Sequence, residues 1–348
     1  GGGGGGGGGE ARGGGESSPV SPRKRITVAF AADKNYLPKL LAVVANLRSM
    51  RHGKAYRLIA YTLGDSISEA DLDKLRCASP LLLDEVRRFD FAMFPPHVRD
   101  LHCYAWKPLL LAELRKEFPR EGLVWLDSQV ALAGPPSAAG VAGGFPERAV
   151  AAAAAQGGVL SDKTSGTVEK WVHEKMFIHF ERQLGFRRDF FTSPSPAGMC
   201  NGAFSAWAPL AEKQPRAMGA HAATAATATA ATATAATAAA ATAAAAASKH
   251  PKVSLGSHAM DMWEQCAMEK ACMCPAGTSR ANHRQDQAAL TLILATLGIR
   301  CYDDRERGPD GKGASWVHAR GFRMNRAKCQ DLECFVKTYG GDKCGAAR

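Results

Sequence analysis

Apolar positions in the first third of the chain follow two periods, one typical of buried strands and one typical of helices. Uninterrupted apolar and β-branched runs predict strands at 26–31, 56–62, 81–86 and 122–127. Apolar residues at helical spacing predict helices at 37–50, 68–77 and 105–118. Alternating strands and helices are typical of α/β proteins. We therefore expect an α/β domain built on a mixed, mainly parallel sheet.

The second half of the chain is less regular. Helical spacing predicts helices at 167–185 and 284–298, and the second of these ends on a glycine. Shorter apolar runs predict strands at 199–207 and 314–318.

Two segments of low complexity interrupt this pattern. Residues 1–25 contain twelve glycines and predict a disordered tail. Residues 222–247 consist only of alanine and threonine, which indicates an expanded repeat inserted in a surface loop. The Ala/Thr tract lacks large aliphatic residues and does not predict a membrane span. The ordered domain is therefore expected over 26–345, interrupted by this insertion.

Composition narrows the class of protein. Hydrophobic residues make up 46% and charged residues 22% of the 348 positions, which excludes a disordered, collagenous or coiled-coil chain. Lysine and arginine outnumber aspartate and glutamate by 44 to 33, a net charge of +11. Such a charge favours anionic partners, although a solvated basic surface is the simpler interpretation. No zinc-finger, RNP or basic-zipper pattern accompanies the charge, so no nucleic-acid partner is expected.

The ten cysteines are even in number and partly clustered. The two clusters consist of Cys266, Cys272 and Cys274, and of Cys329, Cys334 and Cys344. Disulfides formed in an oxidising compartment and free buried thiols are both open interpretations. A metal site is a third, but neither cluster has the ligand spacing of the usual zinc sites.

The first candidate for chemistry is FAADKNYLPKL, at the predicted carboxyl end of the first strand. Ligands bind at that edge of open α/β sheets. Asp33 and Asn35 are suited to hydrogen bonds with a base or sugar, and Tyr36 is suited to stacking on a base. A turn capped by Asp33 beside a core tyrosine explains the same residues without a ligand. The absence of G-x-G-x-x-G argues against a dinucleotide-binding domain.

Acidic residues follow or begin two further elements. VWLDSQVAL places Asp127 directly after an apolar strand, where a carboxylate is either paired, metal-bound or capping the next turn. HRQDQAALTLIL gathers His283, Asp286 and Gln287 at a predicted helix N-terminus. The helix dipole by itself accounts for an acid at that position.

The last candidate is SWVHARGF, in which His318 follows a short strand and precedes Arg320 and Arg323. A neutral imidazole can ligate a metal, and guanidinium groups can bind phosphate. A surface histidine in a basic loop is the alternative.

Taken in order, these segments resemble the retaining glycosyltransferases of family 8. The resemblance covers roughly residues 26–325 and is nearest to a poorly characterised eukaryotic glycosyltransferase-like branch. It implies the GT-A fold, a Rossmann-like nucleotide-diphospho-sugar transferase domain. It also implies transfer of a hexose from a UDP-sugar to an unknown acceptor, with retention of configuration.

The resemblance assigns roles at the nucleotide. The family's first segment contacts the nucleotide, which implies such contacts for Asp33, Asn35 and Tyr36. Ala31 and Ala32 would then pack near the base.

The resemblance also assigns roles at the diphosphate and the sugar. YAWKP places Lys107 where the family has a basic residue suited to phosphate. MCNGAF supplies Asn201 and Gly202 for the family's F-N-x-G-type strand. In the family's D-Q pair, the acid contacts the donor sugar and the amide lies beneath the anomeric carbon. This implies Asp286 and Gln287 as catalytic residues.

The metal motif departs from the family. LDSQ retains Asp127 but has Gln129 in place of the second acid of L-D-x-D. His318 and Gly321 match the family's H-x-x-G, and Arg323 lies beside the position of its lysine. An amide is a poorer ligand for Mn or Mg than a carboxylate, so a cation at Asp127 and His318 should be weakly held. The alternative function is a catalytically inactive relative that binds nucleotide sugar or glycan.

Partners and location follow from the resemblance alone. The donor would be a UDP-sugar, and the acceptor would be a glycan, protein or lipid bound over the irregular second half. Family habit and the cysteine count favour the Golgi or another secretory lumen, with the cytosol as the alternative. An anchor upstream of this sequence would fit a lumenal location.

Overall fold

The computed structural model describes residues 1, 26–49, 55–128, 130–132, 145–186, 198–210, 254–302 and 317–318. The predicted tail beyond Gly1 and the Ala/Thr insertion lie outside these residues, so the predicted domain bounds stay a prediction. The strands are β1 (Ile26–Ala32), β2 (Tyr56–Thr62), β3 (Glu85–Arg88), β4 (Gly122–Leu126), β5 (Ala131–Leu132), β6 (Val159–Leu160), β7 (Lys163–Thr167), β8 (Gly198–Cys200), β9 (Phe204–Trp207) and β10 (Val317–His318). The helices are α1 (Leu37–Ser49), α2 (Glu69–Leu82), α3 (Trp106–Glu117), α4 (Phe145–Ala155), α5 (Val168–Trp171), α6 (Glu174–Leu184), α7 (Leu255–Met268), α8 (Lys270–Met273) and α9 (Gln285–Thr296).

Six strands form the main sheet in the order β3-β2-β1-β4-β9-β6. Strands β1 to β4 run parallel, whereas β9 is antiparallel to both of its neighbours. Strands β7 and β8 form a separate pair, as do β5 and β10. The α/β class with a mixed, mainly parallel sheet is therefore confirmed.

Alternate residues of the main strands pack into two hydrophobic cores, one on each face of the sheet. On one face, Ala29 and Trp125 lie in the core that includes residues of α3 and of α5 to α9. On the other face, Phe30 and Val124 lie in the core that includes residues of α1, α2 and α4. Because both faces are covered, β1 and β4 are buried at every position, which explains their unbroken apolar sequences.

The predicted strand at 81–86 is wrong. Helix α2 continues to Leu82, and β3 begins only at Glu85. Arg48 fixes the helix end by donating a hydrogen bond of 2.7 Å to the Leu82 carbonyl. The apolar residues at 82 and 83 thus belong to the core beneath a helix end, while the charged sequence EVRR forms the edge strand.

Two other predicted elements are divided in the structure. The predicted helix at 167–185 breaks before His173, whose side chain caps α6 by accepting a hydrogen bond from the Lys175 amide. The predicted strand at 199–207 is interrupted at Asn201, whose Oδ1 accepts from the Ala203 amide at 2.9 Å. This turn separates β8 from β9, and the two strands belong to different sheets.

Three disulfides have both cysteines in the described part of the chain, which favours the disulfide interpretation for these residues. The pairs are Cys103–Cys274, Cys200–Cys301 and Cys266–Cys272. The cluster predicted at 329–344 lies outside the described residues. Among the described helices, none combines the length and apolar character needed to cross a membrane.

Candidate functional site

The candidate site lies at the edge of the main sheet where the parallel strands end. Strand β4 ends at Leu126, which pairs with Phe204 at the start of antiparallel β9. The Asp127 amide continues this pairing by donating to the Ala203 carbonyl at 2.9 Å. Asp127 and the turn at 201–202 are therefore neighbours, although the sequence separates them widely.

Lys107 connects this edge to the N-terminus of α9. Its ammonium lies 3.0 Å from Asp127 Oδ1 and 2.7 Å from Asp286 Oδ2, and donates to the Gly202 carbonyl at 3.0 Å. The Lys107 side chain is 2% exposed and that of Asp286 8% exposed. We call Lys107, Asp127 and Asp286 the ion-pair cluster. Three elements that are distant in sequence thus meet at one buried cation.

The electrostatics of the cluster leave one acidic group in excess. Burial alone would lower the pKa of Lys107, but the charges of Asp127 and Asp286 outweigh burial and raise it. The pKa of Asp286 is also raised, because burial of its carboxyl group outweighs the attraction of Lys107. Lys107 therefore stays protonated at neutral pH and faces two carboxyl groups.

Asp286 has hydrogen-bonding capacity to spare. Its Oδ2 is buried and lies 2.7 Å from the Lys107 ammonium, whose charge favours the ionised carboxylate. A carboxylate oxygen can accept more than one hydrogen bond, so Oδ2 can also accept from a further donor. A ligand hydroxyl is such a donor.

Asp127 is oriented by an aromatic neighbour. Trp125 Nε1 donates to Asp127 Oδ1 at 2.8 Å, so this oxygen receives both an indole N–H and the Lys107 ammonium. The indole of Trp125 is fully buried in the core. The Asp127 carboxylate is therefore held in position by two buried side chains, Trp125 and Lys107.

Gly202 allows the close approach of Asp286 and Gln287. A Cβ atom at Gly202 would lie 3.0 Å from Asp286 Oδ2 and 3.2 Å from Gln287 Cβ. The predicted pair of Asn201 and Gly202 thus lies against the predicted catalytic pair at the start of α9. The side chain of Asn201 is occupied by its own turn, through the bond to the Ala203 amide.

The predicted nucleotide segment lies at the end of β1. Ala31 and Ala32 are buried, and Asp33 Oδ1 accepts hydrogen bonds from the amides of Asn35 at 2.9 Å and Tyr36 at 3.1 Å. This is the capped turn of the alternative interpretation, but the core tyrosine that the alternative also expected is not found. The turn leaves the Tyr36 side chain at the surface, 38% exposed.

The described residues do not fit a divalent cation. No group of three His, Cys, Asp or Glu side chains comes together among them. Asp127 and Asp286 both face the Lys107 ammonium, whereas Mn and Mg require several oxygen ligands. Of the other predicted ligands, His318 lies with its backbone opposite Ala131 in the β5–β10 pair. Ala131 follows Asp127 by four positions in the sequence. Gln129, Gly321 and Arg323 lie outside the described residues.

Sequence reasoning missed a second group of residues beside the cluster. Tyr104 has a positive φ of 54°, uncommon for a residue with a side chain, and its hydroxyl accepts a hydrogen bond from Arg280. Arg284 stacks on Trp171, with 4.1 Å between the guanidinium carbon and the ring centre. In the sequence, these residues are indicated only by two arginines, Arg280 and Arg284, in a polar turn before α9.

Comparisons with known proteins give limited information. No family model and no curated protein matches the chain. Among solved structures, a complex of the galactosyltransferase LgtC with donor and acceptor sugar analogues is similar at 18% identity and a TM-score of 0.28, covering 52% of this chain and 57% of that one. Mouse xyloside xylosyltransferase 1 is similar at 11% identity and a TM-score of 0.39, covering 80% and 84%. The bifunctional glycosyltransferase WbbM is similar at 14% identity and a TM-score of 0.30, covering 55% and 32%.

All three are glycosyltransferases by name. The aligned part of this chain spans little more than half of LgtC. At these TM-scores the likenesses carry no argument about the site, which rests on its own geometry.

Proposed function

We propose that this chain is a GT-A glycosyltransferase that moves a hexose from a UDP-sugar to an acceptor with retention of configuration. The observation that carries the proposal is the ion-pair cluster, in which the buried Lys107 ammonium holds Asp127 and Asp286 together at one edge of the sheet. The resemblance of the ordered motifs to family 8 supplies the reaction. In that reaction the bond from the anomeric carbon to the diphosphate breaks, a bond to the acceptor oxygen forms, and UDP leaves with the hydroxyl proton.

The cluster suits the donor sugar better than the diphosphate. Asp286 and Asp127 accept hydrogen bonds from hydroxyl groups, and the Lys107 ammonium is held between them. Lys107 was expected at the phosphates, but an ammonium that is 2% exposed and already meets two carboxyl groups is poorly placed to reach them. Its proposed role is to fix both acids. Asp286 then orients the sugar, and the adjacent Gln287 carries the amide assigned to the anomeric carbon.

The nucleotide is assigned to the segment after β1. The ring of Tyr36 is at the surface, with the Lys39 ammonium 4.7 Å from its centre, and is assigned to stack on the uracil. The capped turn at Asp33 presents Asn35 at the surface. Ala31 and Ala32 are buried beneath this turn and are assigned to pack near the base. The nucleotide and sugar assignments share one sheet edge, because β1 and β4 are adjacent and parallel.

The diphosphate is assigned to segments beyond the described residues. Gly321 and Arg323 are the proposed contacts. The Mn or Mg expected at Asp127 and His318 is not part of the proposed site. Because the described donor set does not fit a cation, no step of the proposed reaction depends on one. Neutralising the departing diphosphate is the principal catalytic requirement, and it falls to these residues.

The acceptor and the location are part of the proposal. The acceptor is a glycan, protein or lipid, with no role for nucleic acid. The three disulfides favour an oxidising compartment such as the Golgi lumen over the cytosol.

A catalytically inactive relative that binds nucleotide sugar is the second candidate. It is favoured by one observation: Asp127 meets an ammonium and an indole instead of forming part of a group of metal ligands within the described residues. This candidate predicts binding of UDP-sugar without release of UDP.

The two candidates are separated by binding and turnover measured on the same protein. Thermal-shift titrations with UDP, UDP-glucose and UDP-galactose, with and without Mn, should raise the melting temperature as each ligand passes its dissociation constant. Release of UDP from the bound donor identifies an enzyme, and its absence identifies the inactive relative. If no nucleotide shifts the melting temperature of the folded protein, both candidates are wrong.

A matched pair of variants tests the assigned amide. Gln287→Ala should lower UDP release at least tenfold while the UDP-dependent thermal shift remains. Gln265→Ala, on the exposed face of α7, should change neither quantity. Equal turnover of the two variants would contradict the role given to Gln287.

A further inference from the structure

Two arginines form a preorganised cationic surface beside the ion-pair cluster. Arg280 donates a hydrogen bond to the Tyr104 hydroxyl and lies over that ring, with 5.5 Å between the guanidinium carbon and the ring centre. Arg284 lies over Trp171 at 4.1 Å. We call Arg280 and Arg284 the arginine pair. Stacking on Trp171 leaves the edge of the Arg284 guanidinium able to donate two parallel hydrogen bonds, and Arg280 has further N–H groups besides the one bonded to Tyr104.

In the part of the chain that the structure describes, the arginine pair has no counter-ion, because neither guanidinium forms an ion pair with a carboxylate. The two are close enough for Arg280 to reinforce the effect of burial in lowering the pKa of Arg284. Like charges held together without an acid destabilise the free protein, and an oxyanion relieves that repulsion.

The turn that carries the pair is rigid. The Asn282 side chain bonds both to the Ser279 amide, at 2.7 Å, and to the Gly277 carbonyl, at 3.1 Å. The buried His283 accepts from the His173 amide, so the turn is also anchored to the segment between α5 and α6. These hydrogen bonds hold the turn that carries the two arginines. Side chains on an ordered turn lose less conformational entropy when they bind a ligand.

The position of the pair separates it from the predicted nucleotide segment. Tyr104 and Trp171 pack on the core of one sheet face, whereas Leu37, which follows Tyr36, lies in the core of the opposite face. Within the ion-pair cluster, Lys107 and Asp286 lie on α3 and α9, which pack on the same sheet face as Tyr104 and Trp171. An oxyanion at the arginine pair therefore lies on the face that carries the assigned donor-sugar position, and α1, which follows the nucleotide segment, lies on the other face.

We propose that the arginine pair binds an acidic group of the acceptor, so that this transferase acts on an acidic saccharide. The inference rests on the proposed function. The same chemistry could serve the phosphates of the donor, and the experiment separates these two sources.

The experiment measures binding of three probes by ligand-observed NMR. Methyl β-D-glucuronide carries a carboxylate, methyl β-D-glucoside is its neutral counterpart, and UDP reports the donor site. Wild type should bind the glucuronide at least tenfold more tightly than the glucoside, with a preference that weakens as salt is raised. Arg280→Gln with Arg284→Gln should remove this preference and leave UDP affinity within about twofold.

Two control variants separate the effect of the arginine pair from that of positive charge in general and from that of a remote arginine. Arg280→Lys with Arg284→Lys retains both charges and should retain part of the preference. Arg76→Gln removes an exposed arginine of α2 and should change nothing. Melting temperatures of all variants show whether each one folds.

Each remaining outcome has a definite meaning. A parallel loss of UDP and glucuronide affinity in the glutamine variant would overturn the proposal in favour of the donor phosphates. Equal affinity of wild type for the two methyl glycosides would also overturn it. A glucuronide preference that depends on the arginine pair, in a protein that neither binds UDP nor releases it from UDP-sugars, would uphold the acidic-saccharide site while rejecting the proposed function.

Discussion

Replacing Lys107 with methionine tests the ion-pair cluster directly. The substitution keeps most of the side-chain length and removes the ammonium that lies 3.0 Å from Asp127 Oδ1 and 2.7 Å from Asp286 Oδ2. Because the Lys107 side chain is 2% exposed, water has little room to replace the lost charge. Two carboxyl groups would then share the site without a counter-ion.

The expected loss of stability can be worked from these contacts. At about 3 Å and an effective dielectric constant of about 20, each contact contributes roughly 5–6 kcal/mol before desolvation. Desolvation offsets several kcal/mol per ion, so the intact cluster contributes little net stability. Breaking such a cluster from one side costs about 3–5 kcal/mol, because charge is left buried and unpaired. That is a large part of the roughly 5–15 kcal/mol that stabilises a typical domain.

The loss should also depend on pH. Burial already raises the pKa of Asp286, and removing Lys107 raises it further. A carboxyl group whose pKa is higher in the folded than in the unfolded chain destabilises the fold as pH rises through that interval. Once it is protonated at lower pH, this penalty disappears. The difference in unfolding free energy between wild type and Lys107→Met should therefore shrink from about pH 8 to about pH 5.

Urea-induced unfolding, followed by tryptophan fluorescence at both pH values, measures this difference. Lys116→Met is the control, because Lys116 is 66% exposed and pairs with Glu264 at the surface. Its cost should stay below about 1 kcal/mol. Adding Asp286→Asn to Lys107→Met should recover part of the loss. The account of the cluster is refuted if Lys107→Met costs no more than the control, or if its cost grows on acidification.

Three further predictions concern the surroundings of the cluster. Gly202→Ala places a Cβ 3.0 Å from Asp286 Oδ2 and should lower UDP release at least tenfold with little change in melting temperature; unchanged turnover would contradict the close fit. Burial lowers the pKa of His283 from 6.5 to about 4, so the unfolded chain binds a proton between these values that the folded chain does not, and stability should fall by about 1.4 kcal/mol per pH unit as pH drops through this window. The unfolding free energy of His283→Gln, measured with urea at about pH 7 and pH 5, should fall less between these two pH values than that of wild type. Replacing Cys103 and Cys274 by serine opens a cross-link between residues 171 positions apart and should lower the unfolding free energy by about 3–5 kcal/mol, measured without reductant; a loss below about 1 kcal/mol would show that the bond constrains little.

The main strands could be predicted because burial on both faces imposes a simple pattern. Strand β2 matches the predicted range at both ends, and β1 and β4 agree to within a residue. Every residue of β1 and β4 is buried, so apolar side chains are required at each position. Edge strand β3 has no such pattern, since its residues are half-buried and charged.

The breaks within elements depend on contacts between side chain and backbone. His173 caps α6 just after α5 has ended, and Asn201 turns the chain between two sheets. Both residues occur within apolar stretches that continue the period of the surrounding element. The periodic pattern therefore predicts one continuous element across the single polar residue. The break follows from the hydrogen bond of that residue, which the sequence pattern does not indicate.

The site was partly predictable for a different reason. Asp127 follows a buried strand and Asp286 begins a buried helix, and each position has a chemical reason for an acid. That the two acids share one cation depends on how α3 packs against the sheet edge, with Lys107 bonded to a carbonyl 95 positions away. The arginine pair was missed because its arrangement depends on Tyr104 and Trp171, which come from other segments.

The disulfides explain how such a cluster holds its geometry. Buried ion pairs stabilise a fold only if their distances are kept, and Lys107, Gly202 and Asp286 come from three separate segments. Cys103 precedes α3 and is bonded to Cys274, which precedes the turn that leads into α9. A second disulfide, at Cys200, anchors the turn that carries Gly202. Each of the three segments is thus covalently anchored within a few residues of the site or at the start of the turn that leads into it. We infer that these cross-links preorganise the cluster in addition to constraining the unfolded chain.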